Sequence, residues 1–255
     1  MTAPLKVWRE ADGRLLRLRL NWPIANLIDA TMIAALDRAL ADGFEIPGLG
    51  AVLIDAAGPH FSYGASVEQH LPGQCRVMLA SIHSLILRMV EAPVTILVAV
   101  RGQCLGGGLE VALAGHLLFV APDAKLGQPE MKLGVFAPAA SVALAERIGR
   151  SNAEDLCLTG RFVEADEAQA MGLVDQIAVS DPTEVALAWL RGHLEARSPS
   201  TLRLAVRAIR SDLSERLRRQ LPEMERLYLN DLMKTPDAVE GLQAFLEKRT
   251  PRWQK

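Results

Sequence analysis

The sequence predicts an α/β fold with an α-helical region at its C-terminal end, and three observations carry that expectation. Apolar runs of strand length alternate with longer segments whose apolar residues recur at helical spacing. Beyond Asp181 the strand signals stop and only helical patterns follow. Half of the 255 residues are hydrophobic, enough to bury one large core or a core with a smaller appended unit.

Taken in order, residues 5–9 and 14–20 alternate around Asp12-Gly13, which predicts a β-hairpin. After Asn21-Trp22-Pro23, the positions Leu27, Ile28, Met32, Leu36 and Leu40 predict a helix that Gly43 ends. Residues 51–56 read as a buried strand running into the glycine-containing turn 58–66. Val77, Met78, Ile82, Leu85, Ile86 and Met89 then predict a helix over 75–91, and Pro93 separates it from the strand 94–100, apolar but for Thr95. The unit of strand, turn, helix and strand has by now repeated. A strand over 117–121 and a helix over 139–148 closed by Gly149 follow, and Ser151 with Glu154 forms a capping box for the next helix. Residues 165–171 are expected as a short helix ended by Gly172, and 173–179 as a further strand. The closing helices are expected over 182–196, from 200 to about 234, and over 237–248. Their arginines, Arg203, Arg207 and Arg210 and then Arg216, Arg218 and Arg219, read as a solvated basic face.

The chemistry is expected in residues 100–133, VRGQCLGGGLEVALAGHLLFVAPDAKLGQPEMKL. The apolar run 94–100 leads into Gly106, Gly107 and Gly108 and then into a segment apolar on every face except Glu110: a strand, a bare-backbone turn and a buried helix. Glycines let a ligand approach the main chain, and a helix start presents unpaired N–H groups at the positive end of its dipole. Such a turn can seat an anion or a developing oxyanion. Two nucleotide motifs fail on spacing. A Walker loop ends in Gly-Lys-Ser/Thr where this chain has Gly108-Leu109-Glu110, and the dinucleotide fingerprint needs a small residue where Val111 stands. Glu110, three residues after Gly107 and on the same helical face, suits proton transfer beside an oxyanion. The plainer alternative is that the glycines allow close packing and Glu110 is a satisfied structural carboxylate. Against it, a Glu flanked by Leu109, Val111, Ala112 and Leu113 loses hydration worth on the order of several kcal/mol unless it is paired or protonated, the setting for a raised pKa.

Other classes are set aside on composition. A net charge of −2 gives no footprint for nonspecific nucleic-acid binding, and no apolar run approaches the ~18 residues of a membrane span. The start, MTAPLKVWREADG, lacks the apolar core of a signal peptide. Cys75, Cys104 and Cys157 are an odd number without metal-ligand spacing, so reduced thiols in a cytoplasm are expected. The five histidines, His60, His70, His83, His116 and His193, show no ligand spacing either, and a G-x-S-x-G nucleophile elbow is lacking. Neither a metal site nor a serine triad is expected.

These residues resemble the enoyl-CoA hydratase/isomerase family, the crotonase superfamily, over nearly the whole chain. NWPIAN resembles the family's first turn, FSYGAS its first oxyanion segment, CLGGGLE its second, and KLGQPEMKLG the segment of its second acid. LTGRFVEADEAQAMGLVDQI and EGLQAFLEKRTPRW are similar to its later segments. The resemblance implies a crotonase-like spiral of repeated ββα units over 1–198 and a C-terminal helical oligomerisation region over 199–255, in a homotrimer or a dimer of trimers. It implies an acyl-CoA hydratase, a carbon–oxygen lyase with no cofactor beyond the coenzyme A carried by its substrate.

Residue by residue, the resemblance makes Ala65 and Gly107 the N–H donors of the oxyanion hole, and Glu110 and Glu130, twenty residues apart, the catalytic glutamates. Glu110 is assigned to deprotonating water and Glu130 to proton exchange with the α-carbon. Ala25, Tyr63, Phe245 and Lys248 fall at coenzyme-binding positions, the last two approaching the coenzyme of a neighbouring subunit. Departures bear on the substrate: FSAGAD becomes FSYGAS, and a glycine-rich run becomes Ala137-Pro138-Ala139-Ala140-Ser141, expected as a stiffer apolar wall. GQCLGGGLEVALAGH, KLGQPEMKLGVFAPAAS and ASVEQHLPGQ look most like the branch hydrating cyclohexa-1,5-diene-1-carbonyl-CoA in aromatic degradation. A general short-chain 2-enoyl-CoA hydratase is the second reading and a non-catalytic, RNA-binding relative the third.

Overall fold

The computed structural model describes residues 3–23 and 25–254, so that Ile24 of the NWPIAN segment lies outside the described residues. Strands β1 (Leu5–Glu10) and β2 (Leu15–Leu20) form the expected hairpin, turning through Ala11, Asp12 and Gly13 at positive φ. Helix α1 (Ala30–Phe44) begins three residues later than its apolar spacing suggested. Asp29 caps it, its carboxylate accepting from the Met32 N–H at 2.8 Å, and Ile28 is drawn off into a bridge with Ala65. Then come β3 (Ala51–Ala56), α2 (Cys75–Val90) and β4 (Thr95–Val100).

Strands β1 to β4 join β6 (Leu117–Val120) and β9 (Gln176–Ile177) in a six-stranded sheet ordered β1-β2-β3-β4-β6-β9, parallel except at the hairpin. The central strands read as continuous apolar runs because both sheet faces are covered. Leu18, Leu20, Val52, Ile54, Ile96, Val98 and Leu118 belong to the main core, shared with α1 and α2. Leu15, Leu53, Leu97, Ala99 and Phe119 point the other way, onto Ala186, Leu187 and Leu190 of α6 (Pro182–His193). Each such side chain taken fully out of water contributes about 1.5–3 kcal/mol.

A second sheet, of three strands of three residues each, has no counterpart in the expectations. It consists of β5 (Gln103–Leu105), β7 (Lys125–Gly127) and β8 (Phe162–Glu164). One strand, β5, stands between Val100 and the glycine turn, so β4 does not run directly into helix α3 (Gly107–Ala114). The span α4 (Pro138–Thr159) is two helices that meet at a kink at Gly149, φ 75°, where the first was expected to close, and Glu154 pairs with Arg150 at 3.6 Å in place of the expected box with Ser151. After α5 (Ala165–Ala170), the expected strand 173–179 shrinks to Gln176–Ile177, because the Leu173 and Val174 amides turn back to the Ala168 carbonyl.

Helices α7 (Pro199–Asn230) and α8 (Pro236–Leu246) complete the chain. Leu217, Leu221 and Tyr228 of α7 and Ala238 and Leu242 of α8 join the main core. At Gly241 a side-chain carbon would stand 2.2 Å from the Leu133 carbonyl oxygen, so a glycine lets α8 lie directly on the 3-10 turn Pro129–Leu133. Among the described residues, no helix is long and apolar enough to cross a membrane.

Candidate active site

Two turns and one short helix meet at the site. The first turn carries Ala65. Its conformation is fixed by Ser62, whose buried Oγ donates to the Asn26 carbonyl at 2.7 Å and accepts from the Gly64 N–H at 3.1 Å. The Gly64 carbonyl in turn accepts from the Ile28 N–H at 2.9 Å, with Gly64 at φ 103°.

The second turn is Gly106, held at φ 50° by the small sheet: its N–H donates to the Gly127 carbonyl at 2.9 Å. Immediately after it, α3 starts with Gly107. A methyl group on Gly107 would sit 3.1 Å from the Ala65 nitrogen, so the backbones of the two turns lie against each other. Among the described residues, neither the Ala65 nor the Gly107 N–H donates to a backbone carbonyl. The structure therefore brings together two available donors, one of them at the positive end of a helix.

Glu110 lies one turn into α3 and is 6% exposed. Its Oε1 accepts from the Ala140 N–H at 2.8 Å, in the first turn of α4. The helix start at Ala137 has no side-chain cap of its own, so the Glu110 carboxylate supplies one. Residues 137–140 are buried, Ser141 is exposed, and the Ala140 N–H holds the acid; none of the run 137–141 lines the cavity over Glu130 as the expected wall, whereas the neighbouring Val135 does.

Glu130 reaches the same place through pairing of β7 with β5, which sets Gly127 opposite Leu105. The 3-10 turn Pro129–Leu133 then carries its carboxylate over Gly106, where an added methyl would come within 2.5 Å of its Oε1. Gln128, which sequence reasoning passed over, is 1% exposed; with its amide oriented to donate, its nitrogen lies 3.2 and 3.0 Å from the two Glu130 oxygens. Only the GQPE spacing, with an amide two residues before the acid, could have flagged it.

The two carboxyls differ electrostatically. Burial raises the pKa of Glu110, opposed by the charge of His83 and by the N–H groups of Ala140 and Ala139. Burial together with the negative charge of Glu110 pushes Glu130 up to about 8. Two such groups near one another favour a state with one ionised and one protonated. Glu110 has the hydrogen bonds and the helix terminus that favour the anion.

A cavity of about 540 Å³ opens over Glu130, lined by Ala65, His70, Leu105, Gly106 and Phe245 among others, and Glu110 and Gly107 are not part of its lining. Tyr63 borders it and also a shallower cleft with Ala25, whose carbonyl accepts from the Tyr63 N–H at 3.1 Å. Phe245 lines the cavity of its own chain. Lys248 is exposed, has φ 55° and is not part of the lining. Arg249 takes that place, with its guanidinium bound by Glu240 at 2.6 Å and Glu247 at 2.5 Å. Among the described residues, no group of three or more His, Cys, Asp and Glu side chains could hold a metal ion.

The family model described as enoyl-CoA hydratase/isomerase matches residues 10–255. The chain is 56% identical over 253 residues to a cyclohexa-1,5-dienecarbonyl-CoA hydratase of Thauera aromatica, covering 99% of this chain and 98% of the relative. It is 32% identical to a probable enoyl-CoA hydratase of Mycobacterium leprae, covering 92% and 93% of the two chains. The crystal structure of an enoyl-CoA hydratase from Mycobacterium avium superposes over the whole of both chains with a TM-score of 0.88 at 24% identity, a likeness of fold.

Proposed function

The chain belongs to the enoyl-CoA hydratase/isomerase family, and on that premise we propose that it adds water to an α,β-unsaturated acyl-CoA whose acyl group is the cyclic diene cyclohexa-1,5-diene-1-carbonyl. The observation that carries the reading is one juxtaposition: two carboxyls, one buried at an α-helix terminus and one held protonated to about pH 8, beside two backbone N–H groups with no backbone acceptor among the described residues. The 56% identity to the Thauera aromatica hydratase supports the choice of acyl group.

In this reading the thioester carbonyl sits between the Ala65 and Gly107 N–H groups. Water addition builds enolate charge on that oxygen, and each donor at such a site lowers the barrier by about 2.7–4 kcal/mol. Glu110 is the base. It takes a proton from water as the oxygen bonds to the β-carbon, and the imidazole of His83 and the α4 terminus favour its ionised form. Glu130, protonated at neutral pH, delivers its proton to the α-carbon, and Gln128 keeps it aimed across Gly106. Ala25, Tyr63 and Phe245 border the path of the coenzyme, and Lys248 offers a charge to a phosphate from outside the cavity. The region 199–255 serves as the oligomerisation element of a homotrimer or a dimer of trimers, supported by the exposed apolar Leu204 and Ile209 on α7. The free thiols of Cys75, Cys104 and Cys157 support a reducing, cytoplasmic setting.

The test is direct. The purified protein, incubated with cyclohexa-1,5-diene-1-carbonyl-CoA, should convert it to a thioester heavier by one water, with loss of the diene absorbance. An unchanged thioester under conditions where crotonyl-CoA is hydrated would replace this reading with the general short-chain hydratase.

A further inference from the structure

Glu130 rides on a turn that sits outside the core. None of the five residues of Pro129–Leu133 is buried, and Leu133 merely leans on the core from its edge. The placement of the carboxylate over Gly106 therefore depends on how the ends of the turn are held. Strand β7 and the buried Gln128 hold the first. At the second, Gly134 leaves the turn at φ 71°, and what bears on it from outside is the segment after α8.

The chain leaves α8 through Lys248, whose φ of 55° reverses its direction, with the Arg249 N–H on the Ala244 carbonyl at 2.9 Å. Residues 249–254 then run back along the helix. Successive bonds mark the return: the Arg249 guanidinium and the Arg252 N–H both meet Glu240, the latter at 2.7 Å, and the Gln254 N–H meets Asp237 Oδ1 at 2.8 Å. This strap seats the Trp253 indole on two glycines at once. A methyl group on Gly134 would lie 3.1 Å from the ring and one on Gly241 2.9 Å from it, so a side chain at either position would push the indole off. Trp253 remains 45% exposed, so burial gives little reason for so large a ring, and its contact with both glycines is the specific one. Arg249 and Pro251 of the same strap line the cavity.

We propose that residues 249–254 are a strap that holds the Glu130 turn in place, with Trp253 as its positioning residue: the indole locks Gly134 against Gly241 of α8 and so keeps the Glu130 carboxylate over Gly106. The effect on rate rests on the hydratase reading above, whereas the coupling between Trp253 and Glu130 does not. Without the ring, the second end of an unburied turn is released, and the carboxyl that burial and the charge of Glu110 keep protonated swings into solvent. A displacement of about 1 Å can cost on the order of 100-fold in rate.

The test is a double-mutant cycle in the full chain. Glu130→Gln, Trp253→Ala and the double variant are melted beside the wild type at pH 8. The gain in Tm from Glu130→Gln should shrink to less than half in the Trp253→Ala background, because the released carboxyl has already reached water. Additive changes in Tm overturn the proposal. On the thioester that the wild type hydrates, Trp253→Ala should lose about tenfold or more in kcat, and Trp253→Phe, which keeps an aromatic face on both glycines, should recover most of it. An unchanged kcat in Trp253→Ala overturns the proposal, and so does a lost rate with additive melting, which makes Trp253 a wall of the cavity only. If Trp253→Ala does not fold, Trp253→Leu takes its place in the cycle with the same outcomes. If the wild type hydrates no thioester, the hydratase reading falls, and the melting cycle alone supports or refutes this inference.

Discussion

Replacing Glu130 by Gln should make the protein more stable and nearly inactive. Burial and the charge of Glu110 hold the Glu130 carboxyl at about 8, against 4.5 for a free glutamate. A folded-state pKa above the unfolded value means that the native state binds the proton more tightly. The stability this confers is fully present below about pH 4.5 and is lost as pH rises toward 8. Each pH unit in that window costs about 1.4 kcal/mol, or about 3 kcal/mol by pH 7. Glutamine keeps the shape and carries no charge to bury. Residual solvent at the cavity trims the gain, leaving about 1–3 kcal/mol, or roughly 3–10 °C in Tm for a chain of this size. Thermal melts of both proteins at pH 5 and pH 8 provide the assay, with the difference small at pH 5 and widening to pH 8. Turnover should fall about 10²–10⁴-fold, the usual contribution of a positioned acid. A variant that melts no higher than the wild type at pH 8 would refute the raised pKa, and one that turns over normally would remove Glu130 from the chemistry.

Glu110→Gln retains an acceptor for the Ala140 N–H, so it should fold normally yet lose about 10²–10⁴-fold in kcat; circular dichroism and steady-state kinetics check both halves. Gly106→Ala places a methyl 2.5 Å from Glu130 Oε1 at a positive φ, so the flexible carboxylate must swing aside. The variant should lose roughly 1–2 kcal/mol of stability and more than about tenfold in kcat, and an unchanged rate would disprove the placement of Glu130 over the turn. Light scattering should give a trimeric or hexameric mass, whereas a monomer would contradict the role given to residues 199–255.

What could be read from the sequence follows the length of each pattern. Strands β3 and β4 were legible as near-continuous apolar runs of strand length, and helix α2 because its apolar positions recur at helical spacing. Strands β5, β7 and β8 were not, since three residues cannot display a period of two, and their pairing partners lie far apart in the chain. That small sheet is what carries Glu130 to Gly106, so the acid itself was visible only through its surrounding segment. Glu110 stood out because it is the lone charge in an apolar helix. Its anchor was invisible: the Ala140 N–H is a backbone group, and the letters APAAS describe side chains alone.

The central claim is that these two glutamates and two N–H groups hydrate a ring. Initial-rate kinetics on cyclohexa-1,5-diene-1-carbonyl-CoA and crotonyl-CoA, with a single enzyme preparation, test it most directly, because discrimination resides in the ratio of kcat/KM values. A higher kcat/KM for the cyclic diene is the predicted result. An equal or greater value for crotonyl-CoA would contradict it.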